Sequence, residues 1–145
     1  MNVVSLTITD LYTPDIKEFR KVLQPVIGRA FSVYRDRGYE SRRNFEYLSN
    51  KGIDAIIPTR RNARSLSRSG GPARGRVVRR IKKIGLDEWK KEVQYDKRWR
   101  VEIFFSALKG TVGEVIMANK PVYQIQEAVM KIYAYFLMRK NTVVN

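Results

Sequence analysis

The sequence predicts an α/β fold in which neighbouring strands pair in parallel. Three short segments, 3–9, 30–34 and 53–57, are rich in β-branched and other apolar residues. Between them lie two segments, about 15–27 and 42–50, whose apolar residues recur at helical spacing. Parallel strands need a crossover connection, which is usually a helix. The alternation of strand and helix therefore favours a layer of parallel strands covered by helices.

The first strand and the first helix are each marked by local residue order. Apolar and polar side chains alternate within 3–9, as in a half-buried strand. Thr13 then suits a helix N-cap, Pro14 the first helical position and Asp15 the positive end of the helix dipole. The residues predicted to face the core are Ile16, Phe19, Val22 or Leu23, and Val26.

The second half of the α/β pattern has equally local signals. Segment 30–34 reads as a short strand, and Ser41 is placed to cap a helix over 42–50. Gly52 is placed to end that helix, and Pro58 closes the third strand at 53–57. These signals predict a strand, helix, strand order around a shared core.

Asp36 stands immediately beyond the carboxyl end of the second predicted strand. This is the position where ligands bind in open α/β sheets, so Asp36 is a candidate site residue. The alternative interpretation is that Asp36 only begins the turn that contains Gly38.

A strongly basic segment follows the third strand. Between residues 59 and 83 the sequence contains Lys and Arg but no Asp or Glu, and it includes a Gly-Gly-Pro run. We expect a flexible basic loop at 59–83 that becomes ordered on a polyanion; an inert linker is the alternative. The cations expected to contact DNA are Arg60, Arg61, Arg64, Arg68, Arg74, Arg76, Arg79, Arg80, Lys82 and Lys83.

Two helices are predicted after this segment, the first containing Trp89 and then residues 95–109, with a break between them left open. On a helical wheel at about 100° per residue, Arg98, Glu102 and Lys109 share one face, and Tyr95 lies beside them. A helix-bound carboxylate flanked by cations can hold Mg²⁺ and phosphate oxygens. The alternative is a solvated helix face with an ordinary Arg–Glu pair.

The apolar residues of these two helices are expected to form core. In the first helix they are Val101, Phe104, Phe105 and Leu108. The second helix is predicted at 122–138, and its stripe comprises Ile125, Val129, Ile132, Tyr133, Phe136 and Leu137.

Composition narrows the possible chemistry and the possible partners. The chain of 145 residues is long enough for one domain, and it has no Cys and no His, which excludes thiolate and histidine metal sites. Its formal net charge of +15 favours a polyanionic partner, with double-stranded DNA the first candidate. An anionic membrane is a poorer candidate, because no apolar run approaches a membrane span and no basic face is paired with a lipid-facing one.

The motifs together resemble the DDE transposases of prokaryotic insertion sequences, in the group with the signature Y-x2-R-x3-E-x6-K. The resemblance covers roughly residues 3–138 and includes the segments 34–41 and 53–58. It implies a ribonuclease H-like mixed sheet with flanking helices, a pair of Mg²⁺ or Mn²⁺ ions, and DNA cleavage and strand transfer at element ends. By this resemblance Asp36 and Glu102 match the second and third acids and bind the metal. Tyr95, Arg98 and Lys109 match accessory residues near the transferred strand end.

The resemblance also implies a first acid on an earlier strand, which the sequence from Met1 onward does not contain. We therefore expect an N-terminally truncated catalytic domain over 1–145 that binds DNA but does not cleave it alone. Its partners would be the missing transposase half or a second protomer. Asp10, Asp15 and Glu18 are poor substitutes for the missing acid.

One smaller departure concerns Glu40, where the resemblance has Asp more commonly. We expect this difference to matter little.

Two other functions stay open at this point. One is a non-catalytic basic DNA-binding protein derived from the same fold, and the other is a basic structural protein of RNA or the ribosome. The spacing of the Tyr, Arg, Glu and Lys motif favours the transposase and the non-catalytic DNA-binding protein over the structural protein. A prokaryotic, cytoplasmic and nucleoid-associated location is expected.

Overall fold

A computed structural model describes residues 5, 14–65 and 71–142 of the chain. The described residues up to Arg98 form one compact unit, and those from Trp99 onward form a second. We call them the amino-terminal unit and the carboxyl-terminal unit. The strand predicted at 3–9 lies outside the described residues except for Ser5.

The amino-terminal unit is a small α/β structure. Helix α1 (Asp15–Leu23) continues into a 3-10 turn (Gln24–Val26) and is followed by strand β1 (Ser32–Tyr34). Helix α2 (Arg42–Asn50) then leads to strand β2 (Asp54–Ile56).

The two strands pair in parallel, as predicted from the strand–helix–strand order. Their register sets Ser32 opposite Asp54 and Tyr34 opposite Ile56, so the carboxyl ends of both strands meet at one edge. The α/β prediction is thereby confirmed for the described residues.

Helix α2 begins and ends where the local signals predict. The Ser41 Oγ accepts a hydrogen bond from the Asn44 N–H at 3.1 Å, which satisfies one of the N–H groups that a helix start leaves free. Gly52, at a φ of +67°, forms the turn into β2. The core between helices and strands consists of Phe19, Leu23, Val33, Phe45, Leu48, Ile53, Ile57 and Ala73.

The prediction of a flexible loop over 59–83 is wrong for its second half. Helix α3 (Pro72–Ile84) occupies this stretch and buries Ala73, Gly75 and Val78. Pro72 is at the first helical position, and Lys and Arg are good helix formers, so a high positive charge is compatible with a helix whose apolar face packs on the core. Residues 57–60 and 63–64 have no regular structure, with a turn at 61–62.

A short helix completes the amino-terminal unit. Helix α4 (Leu86–Glu92) buries Trp89 and is followed by a turn and a 3-10 helix (Tyr95–Arg98). Gln94 has a φ of +52°, a left-handed conformation that an α-helix does not contain. The break between Trp89 and the Tyr95 segment that the sequence left open is therefore real.

The carboxyl-terminal unit contains helices α5 (Trp99–Val112) and α6 (Pro121–Thr142). Its buried cluster is Phe104, Leu108 and Tyr135, with Val112, Ile132 and Phe136 packed against it. The rest of the predicted apolar stripes is exposed, namely Val101, Phe105, Ile125, Val129, Tyr133 and Leu137. The prediction that those residues are core is wrong, because two packed helices bury only the seam between them.

No helix within 14–65 or 71–142 combines the length and the apolar character needed to cross a bilayer.

Candidate functional site

Asp36 lies just beyond the carboxyl end of β1, as the sequence predicts. The N–H of Arg35 still bonds to the Ile56 carbonyl at 3.2 Å, so the sheet fixes the backbone up to the residue before Asp36. Asp36 then caps a 3-10 turn (Arg37–Tyr39), and its Oδ1 accepts the Gly38 N–H at 2.8 Å. The carboxylate is exposed and oriented by this bond. It has the turn-initiating role, and its metal-binding role stays a prediction.

Gly38 leaves room for the Asp36 carboxylate. A Cβ atom built on Gly38 would lie 2.9 Å from Asp36 Oδ1, closer than real Cβ contacts come. A side chain at position 38 would therefore displace the Asp36 carboxylate, and apart from the chain neighbours its Cβ would meet no other residue within 4 Å. The glycine specifies where the Asp36 oxygens point.

Tyr95 is docked on the same strand end. Its hydroxyl donates a hydrogen bond to the Arg35 carbonyl at 3.0 Å, and the Tyr34 hydroxyl donates to the Val93 carbonyl at 3.3 Å. The Tyr95 ring also lies against Trp89, with centroids 6.1 Å apart. These contacts bring Tyr95 beside the backbone that leads into Asp36.

Arg98 and Arg35 both place a guanidinium over an aromatic ring near this strand end. The Arg98 guanidinium carbon is 5.8 Å from the centroid of Tyr95, and that of Arg35 is 5.3 Å from the centroid of Tyr39. Such stacking orients a cation and leaves its edge able to bond to an oxyanion. Arg98 is one of the site residues predicted from the sequence. Arg35 is not among them, although it is the chain neighbour of Asp36.

Tyr95, Arg98, Glu102 and Lys109 do not share one α-helix, so the predicted single helical face for these residues is wrong. Tyr95 and Arg98 belong to the 3-10 helix of the amino-terminal unit, whereas Glu102 and Lys109 belong to α5. The hydroxyl bonds of Tyr34 and Tyr95 hold residues 93–95 on β1, and the turn at Gln94 accommodates them. A helical wheel drawn through all four residues is therefore invalid.

Glu102 and Lys109 do share one face of α5, because seven residues make about two helical turns. Glu102 lies in the first turn of α5 and is exposed. Lys109 forms an ion pair with Glu114, and this hydrogen bond holds the pKa of the Glu114 carboxyl below its usual value. The predicted approach of Glu102 to Asp36 stays a prediction.

Glu40 is a buried charged residue of the amino-terminal unit. Its side chain is 3% exposed, and its Oε1 accepts hydrogen bonds from the Arg74 Nε at 2.9 Å and Nη2 at 2.6 Å. Its Oε2 accepts the backbone N–H of Arg60 at 3.0 Å. The Glu40 carboxylate thereby joins three segments of the amino-terminal unit, and the expectation that Glu in place of the commoner Asp matters little stays a prediction.

The cations predicted to contact DNA differ in exposure and pairing. Arg74 is turned inward, with a side chain only 15% exposed, and is excluded as a surface contact. Arg80 is half-exposed and paired with Glu92 at 2.7 Å. Arg68 lies outside the described residues. The exposed remainder is Arg60, Arg61, Arg64, Arg76, Arg79, Lys82 and Lys83.

The carboxylate donor set is incomplete within each unit. Oxygen donors such as Asp36 and Glu102 are the kind that Mg²⁺ and Mn²⁺ prefer, and Asp36 is exposed and oriented. No three acidic side chains come together among the described residues of either unit. The donor chemistry fits a divalent cation, although the described residues of neither unit bring three such donors together.

These features define a class of protein. A carboxylate at the carboxyl edge of a parallel sheet, flanked by arginines and followed by a basic helix, is typical of α/β proteins that act on phosphate-containing polyanions.

The chain belongs to the transposase DDE domain family, whose model matches residues 2–137. This confirms the resemblance to DDE transposases, a family of transposition enzymes that generally use divalent metals and bind DNA. No curated protein and no solved structure matches the chain.

Proposed function

We propose that this chain acts in DNA transposition, through metal-dependent cleavage and strand transfer at the ends of an insertion sequence. The observation that carries the proposal is the strand end of β1, where Asp36 is oriented by Gly38 and Tyr95 is bound to the adjoining carbonyl. Membership of the transposase DDE domain family supports it. We propose a ribonuclease H-like sheet as the framework of this edge.

Asp36 and Glu102 are the proposed metal ligands. When bound, a pair of Mg²⁺ or Mn²⁺ ions activates the attacking oxygen and stabilises the leaving oxygen of a phosphodiester. The role of this chain's carboxylates is to hold such ions, and the role of Arg98 and Lys109 is to neutralise phosphate oxygens. The role of Tyr95 is to hold the backbone next to Asp36 through its hydrogen bond to the Arg35 carbonyl.

Duplex DNA is the proposed partner of the exposed cations. Arg76, Arg79 and Lys83 lie at positions i, i+3 and i+7 of α3, which places them on one helical face. The buried Val78, together with Val77, lies on a different face, which packs on the core. A rigid row of cations binds phosphates irrespective of base sequence, so the affinity for DNA should be salt-sensitive and weakly sequence-selective.

The chain alone is expected to bind DNA without cleaving it. A site for paired Mg²⁺ ions needs enough carboxylates in fixed geometry, and Mg²⁺ tolerates poor geometry badly. Asp36 and Glu102 provide two carboxylates, and we propose that a complete site needs a third.

The test is a strand-cleavage assay with Mn²⁺ on a DNA element end, using the wild-type chain and the Asp36→Ala variant. We expect neither protein to cleave, while both bind the DNA with similar affinity. Metal-dependent cleavage by the wild type that is lost in Asp36→Ala would confirm the transposase chemistry but refute the need for a further acid. Absence of DNA binding by the wild type would overturn the proposal.

A second candidate function is a DNA-binding protein that has no turnover. The pairing of Lys109 with Glu114 favours it, because the ion pair occupies a cation that the transposase proposal assigns to phosphate oxygens. It predicts that Asp36→Asn and Glu102→Gln change nothing measurable in the presence of Mn²⁺. The transposase proposal predicts that both changes weaken Mn²⁺ binding, so metal titration of the two variants separates the candidates.

A further inference from the structure

The buried ion pair between Glu40 and Arg74 connects the segment that carries Asp36 to the basic helix. Arg74 lies in the first turn of α3, thirty-four residues along the chain from Glu40. Its Nε and Nη2 both bond to Glu40 Oε1, at 2.9 and 2.6 Å. This fork-like contact fixes direction as well as distance.

The same arginine also anchors the connection that enters the helix. Arg74 Nη1 donates to the Arg64 carbonyl at 3.2 Å. One residue on, Gly75 packs so closely that an added Cβ would lie 3.0 Å from the Ser65 carbonyl oxygen. The start of α3 is thereby held against the segment that leaves β2.

Glu40 is equally well fixed on the side of Asp36. It follows the 3-10 turn that Asp36 caps, and its own N–H bonds to the Arg37 carbonyl at 3.1 Å. The Tyr39 carbonyl accepts a hydrogen bond from Asn44 Nδ2 at 3.0 Å, and Asn44 is buried. The backbone of this turn is therefore fixed by bonds that do not involve the Glu40 carboxylate.

A buried ion pair is a poor means of gaining stability, because the desolvation of both charges offsets their attraction. An apolar pair would hold α3 on the core at least as well. What the Glu40–Arg74 pair adds is a defined angle and register between α3 and the turn after β1.

We propose that Glu40 is a positioning residue for the DNA-dependent chemistry of this chain. It fixes the basic helix α3 relative to Asp36, so that DNA phosphates bound along α3 approach the Asp36 carboxylate in one geometry. This inference rests on the proposed function, since it requires both DNA binding by α3 and metal binding at Asp36.

The chain provides a matched control for Glu40→Gln. Glu92 also pairs with an arginine of α3, Arg80 at 2.7 Å, but both partners are about half-exposed. Glu92→Gln and Glu40→Gln each release one arginine of the same helix, and each raises the formal net charge of +15 by one. A general gain in attraction for DNA is therefore shared by the two variants.

The experiment measures Mn²⁺ binding through paramagnetic broadening of the Gly38 amide signal, with and without a short DNA duplex. In the wild type, bound phosphates should strengthen Mn²⁺ binding about fivefold or more, a typical coupling between sites. Glu92→Gln should keep this enhancement. Glu40→Gln should lose it while its Mn²⁺ affinity without DNA and its affinity for DNA stay within about twofold of the Glu92→Gln values.

Each other outcome has a definite meaning. An enhancement in Glu40→Gln equal to that in Glu92→Gln overturns the positioning role, and so does a wild type that binds DNA and Mn²⁺ without coupling. A wild type that binds no DNA overturns the proposed function itself.

Circular dichroism shows whether Glu40→Gln is folded. If it is not, Glu40→Asp takes its place, because it keeps the charge but shortens the reach to Arg74. We then expect reduced coupling, and full coupling would overturn the inference.

Discussion

The salt dependence of DNA binding should reveal whether helix α3 is the DNA-contacting surface. Arg76 and Lys83 are exposed on α3, lie two helical turns apart, and form no ion pair with any described residue. Each phosphate contact contributes about 0.9 to the slope of log K against log salt. Replacing both residues with Gln should therefore lower the slope by about 1.8, if each contacts one phosphate.

The size of this effect is easily measured. Between 50 and 200 mM salt, a slope difference of about 1.8 means that the wild type loses about twelvefold more affinity than the Arg76→Gln, Lys83→Gln variant. Fluorescence anisotropy with a labelled duplex gives both slopes. The result that would refute the reasoning is an equal slope for the two proteins.

A charge-matched control separates local contact from net charge. Arg29 and Lys51 are exposed and lie just before β1 and β2, at the sheet edge opposite to Asp36. Replacing both with Gln removes the same charge from the same unit. We expect the slope of this control to fall by less than half as much as that of the α3 variant.

Three further predictions concern the strand end and the helical hairpin. Gly38→Ala should barely change the unfolding midpoint but should weaken Mn²⁺ binding at least about tenfold, because the new Cβ displaces the Asp36 carboxylate; unchanged Mn²⁺ affinity in a calorimetric titration would contradict this. Hydrogen bonds from the N–H groups of Met117 and Ala118 lower the pKa of Glu127, so the ionised carboxylate stabilises the fold above the usual pKa of 4.5, and this stabilisation is lost as pH falls through the lowered pKa. Urea unfolding of Glu127→Gln should therefore show a smaller loss of stability below pH 4.5 than the wild type. An identical pH profile for the two proteins would refute this. Phe104→Ala should cost about 3 kcal/mol in urea unfolding and Phe105→Ala about 1 kcal/mol or less, since only the first ring is buried, and equal losses would refute the assigned core.

The elements with local signals could be predicted from the sequence. Helix α2 matches its predicted bounds because the residues that signal its ends, the Ser41 cap and the Gly52 turn, lie within a few residues of those ends. The parallel pairing of β1 with β2 follows from the length of the crossover between them. The position of Asp36 beyond β1 follows from both.

Helix α3 is not predicted from the sequence, because its composition resembles that of a loop. Its many cations and the preceding Gly-Gly-Pro run suggested a solvated loop. The helical spacing of Ala73, Val77 and Ile81 was present in the sequence but was hidden by the charged residues between them. Charge composition alone does not distinguish a basic loop from a basic helix with one buried face.

The remaining differences depend on contacts between residues far apart in the chain. The break at Gln94 accompanies hydroxyl bonds from Tyr34 and Tyr95, each about sixty residues from its carbonyl acceptor. The role of Glu40 depends on Arg74, and no local pattern pairs them. A single sequence does not show which distant residues form such contacts.

We propose that Asp36 and Glu102 are both ligands of divalent cations. The most direct test of this proposal is an Mn²⁺ titration that follows the amide signals of Gly38 and Ile103 by nuclear magnetic resonance. We predict that both signals broaden, that Asp36→Asn abolishes the broadening of Gly38, and that Glu102→Gln abolishes the broadening of Ile103. Broadening at Gly38 that persists unchanged in Asp36→Asn would contradict the proposal.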